Sequence, residues 1–230
     1  MDLEGWAAKP PSMRWFALMI ALCLATVGCQ PKRPTTMKKS VNDEALQELR
    51  DYIQRDVAAG FRPEDDIVKN TVEMLSDDYD VEALTPHAVV MTRELIAAHK
   101  REQASWPKTT DCDRLDAAFA ELERGGVVCR QDFSCCGNCG ATEIQDEMKQ
   151  VSKSGKRVRG YAFYHMQDTE SAVEGHGLYL NYGAVQDGEA AAMEIGEEVS
   201  AALKQQGLEV TWDGTWGKRI GVSLDWKRRR

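Results

Sequence analysis

Apolar positions recur three and four residues apart through the first half of the chain and give way to short, aromatic-rich runs in the second. Leu46, Leu49, Ile53 and Val57 follow the polar pair Asn42-Asp43 at helical spacing, and Gly60 stops the run, so a first helix is expected there. Arg62-Pro63 followed by Glu64, Asp65 and Asp66 opens a second, with acids set against the positive end of the helix dipole and a stripe of Ile67, Val68, Val72 and Leu75. The acidic run Asp77-Asp78-Tyr79-Asp80 breaks it. A third helix is expected from about Thr85-Pro86 to about Ser105, closed by Trp106-Pro107 because a residue before proline avoids helical dihedrals. The fourth follows Thr109-Thr110-Asp111, carries Leu115, Ala118, Phe119 and Leu122 on one face, and stops at Gly125-Gly126.

The period then changes. Val127-Val128-Cys129 reads as a short strand, and the stretches from Val158 to His165 and from Leu178 to Tyr182 are β-rich in composition. Residues 189–205 return to helical spacing, with Met193, Ile195, Val199 and Leu203 inward, and 208–212 with 219–224 read as a closing hairpin around Asp213-Gly214. No repeat period is present. The expected fold is α+β: an N-terminal helical portion (44–105), then a cysteine-containing domain (106–226) with a small, mainly antiparallel sheet and packed helices.

The segment before these elements has a different character. Residues 1–28 read as a signal peptide: Arg14 precedes the apolar run Trp15–Val27, which has the length of a signal h-region and falls short of a membrane span. Asp2 and Glu4 are foreign to such a leader, which makes Met13 a second candidate start beside Met1. The run ends in Thr26-Val27-Gly28-Cys29, which resembles the lipobox of bacterial lipoproteins, with Cys29 as the lipidated residue. Residues 29–43 form a tether, and Lys32, Arg33, Lys38 and Lys39 suit an anionic bilayer surface. The expectation is a protein anchored by lipid in the cell envelope, facing the periplasm or exterior.

The net charge of −8 understates the acidity of the body. The leader is neutral, while the tether and the tail Lys227–Arg230 bring four positive charges each, so residues 41–226 carry −16. That excludes general nucleic-acid binding and leaves a protein or small molecule as partner. The basic tail is expected to be solvated.

Five of the seven cysteines lie between Cys112 and Cys139. Cys136-Gly137-Asn138-Cys139 can turn tightly enough to bring two thiolates onto one cation, Cys135 adjoins it, and Cys112 sits inside the start of the fourth helix, where the dipole lowers a thiol pKa. Cys112, Cys135, Cys136 and Cys139 would complete a structural zinc site, with His165 or Cys129 as substitutes for one of the adjacent pair. Disulfides suit an exported protein but leave one of the five unpaired. A thioredoxin-like exchange motif is the third reading, against which stands the Gly-Asn turn where such motifs usually open a helix after a strand; small buried thiols are the fourth. Farther on, His165, Gln167, Asp168 and Glu170 gather at the end of an expected strand, where they offer either acid–base groups or a helix cap. His176 lies in a glycine-rich turn.

These blocks, TDCDRLDAAF, FSCCGNCG and FYHMQDTE, together with the ending LDW, resemble an uncharacterised bacterial family of unknown function over roughly residues 45–226. The resemblance carries over Cys112, Cys135, Cys136, Cys139, His165, Gln167, Asp168 and Thr169 as family-pattern positions and marks Cys129 as an addition. It also implies mostly cytoplasmic relatives, from which the export signal departs. The sequence therefore reads as a lipid-anchored accessory or binding protein with a structural zinc–cysteine cluster. A metal-dependent hydrolase using His165 and Asp168, or a thiol redox protein, are the alternatives.

Overall fold

The computed structural model describes residues 38–230, which form one compact unit. The expected signal peptide, Cys29 and most of the tether lie outside the described residues. Among those described, no helix is long and apolar enough to cross a membrane.

Three helices come first: α1 (Asp43–Ala59), α2 (Glu64–Met74) and α3 (Val81–Gln103). Asn42 caps α1 by accepting from Ala45 N at 2.9 Å, and the expected stripe of Leu49, Ile53 and Val57 is buried. Those side chains meet Ile67, Leu75, Tyr79 and Leu84 in a small core of their own. The third helix begins about one turn earlier than expected, because the Asp80 carboxylate accepts from Glu82 N at 3.0 Å and Pro86 is tolerated inside the helix.

The remainder alternates strands and helices: α4 (Asp111–Arg124), β1 (Val127–Arg130), α5 (Gly137–Lys153), β2 (Gly160–Phe163), α6 (Met166–Val173), β3 (Leu178–Ala184), α7 (Glu189–Gln205), β4 (Glu209–Thr211) and β5 (Ile220–Ser223). The sheet order is β1-β2-β3-β5-β4; β1 and β2 run parallel and every other pair is antiparallel. The mixed α+β class and the mainly antiparallel sheet are as expected, and α5, which makes the crossover between the two parallel strands, is the addition.

Strand alternation divides the core. Val127, Cys129, Ala162, Leu178, Leu180, Ile220 and Val222 point to one face and pack with Leu115, Phe119, Val199 and Leu203 of α4 and α7. Val128 and Phe163 point to the other and meet Ile144 and Met148 of α5. The start of α5 can approach the sheet because position 140 is glycine: a Cβ there would stand 2.5 Å from Phe163 Cε2.

The tail corrects one expectation, since it is bound to the body rather than solvated. Arg228 lies with its guanidinium 4.2 Å from the Phe61 ring centroid and contacts Asp116 at 3.2 Å. Arg229 pairs with Asp113 and the Pro107 carbonyl. Arg230 donates to the carbonyls of Asp56 and Val57, at 3.2 and 3.1 Å, and to that of Arg62. Those first two carbonyls belong to the last turn of α1, where a cation is favoured; Asp56 O also accepts from Gly60 N at 3.3 Å.

Candidate functional site

Because β1 and β2 are parallel and adjacent, their C-terminal ends lie at the same edge. The loop 131–136 after β1 therefore runs beside residues 164–166 after β2. Backbone bonds lace the two together: Phe133 N donates to Tyr164 O at 2.9 Å and Met166 N to Ser134 O at 3.1 Å. Thr169 Oγ1 adds a bond to Asp132 Oδ1 at 2.7 Å. This lacing holds Asp132 (φ 49°) and Ser134 (φ 64°) in the left-handed region, which non-glycine residues seldom occupy. Burial pushes the Asp132 carboxyl above the usual range, against the lowering effect of the Thr169 hydroxyl.

The loop delivers three thiols to the start of α5. Cys136 is the N-cap and Cys139 lies in the first turn, and the Sγ atoms of Cys135, Cys136 and Cys139 all lie within 4.8 Å of one another. Cys135 is exposed and the other two are half-buried. Cys136 is held below the ordinary thiol range, first by the backbone N–H of Cys139 and then by the Cys139 thiol and the N–H of Asn138. Cys139 moves the opposite way, to about 11, because it donates its proton to Cys135 and Cys136. The arrangement is a cysteine whose thiolate form is favoured by the open amides of a helix start, with two further thiols beside it.

His165 stands against this turn: its Nε2 would be 3.6 Å from a Cβ placed on Gly137. The same nitrogen lies 3.1 Å from Asp168 Oδ2. Burial keeps the imidazole pKa low, although the Asp168 carboxylate works against that. The other ring nitrogen, Nδ1, is buried without a partner among the described residues. Asp168 also accepts from His165 N at 3.1 Å and from Arg219 Nη2, so its side chain, 6% exposed, is fully engaged.

A family model for a domain of unknown function matches residues 42–230. The chain belongs to the DUF6891 family. No curated protein and no solved structure matches it. The matched stretch takes in the bound tail as well as every cysteine between Cys112 and Cys139.

Within the DUF6891 domain the expected site residues separate. Cys135, Cys136 and Cys139 come together, with His165 and Asp168 beside them. Cys112 is not in that group: it is buried on α4, near the backbone of Lys227 and the side chains of Arg228 and Asp116. Burial raises its pKa to about 11, which overrides the lowering expected from its place at a helix start. Cys129 faces α4 and α7 on the opposite side of the sheet from α5, and burial raises its thiol as well. Gln167 borders a polar cleft of about 260 Å³ that Cys135 also lines, together with Arg55, Asp56, Arg62 and Asn70. His176 is exposed in its turn.

Cys136-Gly137-Asn138-Cys139 opens a helix, as thiol-exchange motifs do, but only after the six-residue loop 131–136 and with Gly-Asn between the thiols, so the direct strand-to-helix passage usual for such motifs is not reproduced. Two participants went unnoticed in the sequence. Arg219 precedes an apolar strand in an ordinary Lys-Arg context, and only the fold carries it to Asp168. Asp132 is the other, and nothing in the sequence shows that Thr169 reaches it from 37 residues away.

Proposed function

We propose that the DUF6891 domain is a metal-binding accessory module that holds zinc through Cys135, Cys136 and Cys139. The observation that carries this reading is the gathering of three thiols within 4.8 Å at a helix start that favours the thiolate form. Three soft, anionic sulfurs suit Zn²⁺, whose Zn–S bonds of about 2.3 Å require only modest closure of such a group. Cys112 lies elsewhere, so the fourth position falls to His165 or to a ligand from outside. Asp168 is committed to His165 and Arg219, which makes it a positioning group for the imidazole and disfavours its use as an acid or base in hydrolysis.

Metal analysis of protein refolded with zinc tests this, beside a thiol titration under denaturing conditions. One zinc per chain is expected, kept in Cys112→Ser and lost in Cys135→Ser/Cys136→Ser/Cys139→Ser; a chain that retains no zinc overturns the reading. The second reading is thiol–disulfide exchange, favoured by the Cys136 thiolate with Cys139 three residues on. It predicts no metal and the loss of two titratable thiols on mild oxidation.

The setting proposed for this module is the cell envelope, with Cys29 lipidated and the basic tether at an anionic bilayer surface. Support for it comes from the sequence alone. Incorporation of labelled palmitate in cells, abolished by Cys29→Ala, is the expected result; labelling that persists in the variant rules the anchor out.

A further inference from the structure

Helix α5 covers β1 and β2 on its side of the sheet, and the rest of that face opens into a cleft of about 520 Å³. The volume is that of a small-molecule site. Tyr161, Phe163 and Trp216 supply apolar walls, and Trp216 is 55% exposed, an unusual state for a large indole with no partner of its own. Ala141, two residues after Cys139, forms part of the rim.

Three hydrogen-bond donors on residues lining this cleft have no partner among the described residues: Asn181 Nδ2, Arg219 Nε and Tyr182 Oη. Tyr182 packs against Trp212 and the core on the other face of the sheet, which leaves Asn181 and Arg219 on the cleft's own face. Leu180 pairs with Ile220 across β3 and β5, so Asn181 and Arg219 take the next opposed positions, neighbours on one face. Arg219 cannot turn away to satisfy Nε, because its Nη2 is fixed by Asp168 and the Tyr179 carbonyl. A buried donor left unmade costs about 1–3 kcal/mol, more for a charged group, and an arriving acceptor removes that cost. The start of α7 also meets the cleft: its N-cap, Gly188, offers no capping side chain, and Glu189 and Lys218, of opposite charge, line the space beside it.

We infer that this cleft binds a small aromatic carboxylate, its ring held among Tyr161, Phe163 and Trp216 and its carboxylate oxygens received by the Asn181 amide and the Arg219 guanidinium, whose covered Nδ2 and Nε a small side-chain shift exposes as the ligand enters. Aromatic walls alone would accept any flat apolar body. The pair of donors at neighbouring positions, one of them cationic, selects a planar group with two acceptor oxygens. The inference stands apart from the metal reading, because among the described residues no cysteine lines the cleft. It nonetheless places a ligand next to the thiols, since the Arg219 that would receive the carboxylate also holds Asp168, which holds His165 against the cysteine turn.

Calorimetric titration of the full chain with 2-naphthoate, 2-naphthamide and cyclohexanecarboxylate tests it, with and without zinc. Saturable binding of 2-naphthoate is expected, at least about tenfold tighter than that of either comparison compound, as a charge-assisted bond or an aromatic contact is lost. Asn181→Leu and Arg219→Lys should each weaken 2-naphthoate by about tenfold while leaving 2-naphthamide little changed. Should either variant fail to fold, the wild-type protein still decides: the Asn181 side-chain amide and the Trp216 indole N–H must shift in NMR spectra as 2-naphthoate is added. Equal affinity for acid and amide, no saturation at millimolar 2-naphthoate, or shifts confined to other residues would overturn the proposal.

Discussion

Cysteines that look alike along the chain differ sharply in what surrounds them. Cys136 rests on the amides of Asn138 and Cys139, whereas Cys112 and Cys129 sit in apolar packing that penalises the thiolate. In metal-free, reduced protein the pH dependence of alkylation follows directly. Because Cys136 is lowered, its thiolate persists below the ordinary thiol range, and its reaction with iodoacetamide should fall off only at a pH under that of a free cysteine, about 8.5. Cys139 should lag until the pH nears 11, and Cys112 should stay unmodified at neutral pH until the protein unfolds. Peptide mass spectrometry after timed alkylation reads all three; Cys112 or Cys139 reacting first at pH 7 would contradict this order. Cys112 stands at a helix start but is 1% exposed, and desolvation is the larger effect on a thiol buried there.

Elements were legible where one periodicity dominated. The first four helices, α7 and the β4–β5 hairpin carry clear apolar stripes or alternation, and each stands close to its expected place. Helix α5 was hidden for a physical reason. Its buried face amounts to Gly140, Ile144 and Met148, too narrow a stripe among polar residues, and it opens with Gly-Asn-Cys-Gly, which reads as a turn. What makes it a helix is tertiary: the sheet face of Val128 and Phe163 gives those residues something to cover. The site inherits the same gap. His165 and the CxxC turn were each visible as chemistry, but their juxtaposition depends on β1 and β2 being parallel neighbours, and two short strands separated by an unrecognised crossover helix carry no mark of that.

Taken whole, the described chain has separate small cores under the first three helices and around the sheet, joined by a seam. Trp226 donates from Nε1 to Ala58 O at 3.0 Å and packs edge-on to Tyr164, while Arg228 and Arg230 reach the end of α1. At that end Gly60 does two things. It takes φ 84° to terminate the helix, and it leaves room for Arg228, whose Cγ would be 2.9 Å from any Cβ there. Replacing Arg228 and Arg230 together by alanine should lower stability by roughly 2–4 kcal/mol, from lost charged hydrogen bonds to helix-end carbonyls and the lost guanidinium–ring contact. Urea denaturation followed by circular dichroism measures it; an unchanged midpoint would show the seam to be decorative.

That seam also imposes an order of events on the newborn chain. Arg230 caps carbonyls made 174 residues earlier, and at about 5–20 residues per second the first helix waits roughly 10–35 s for its partner to be synthesised. During that interval its last turn has the local bond from Gly60 N to Asp56 O but none of the tail's donors, so the helices made first are the last to be sealed.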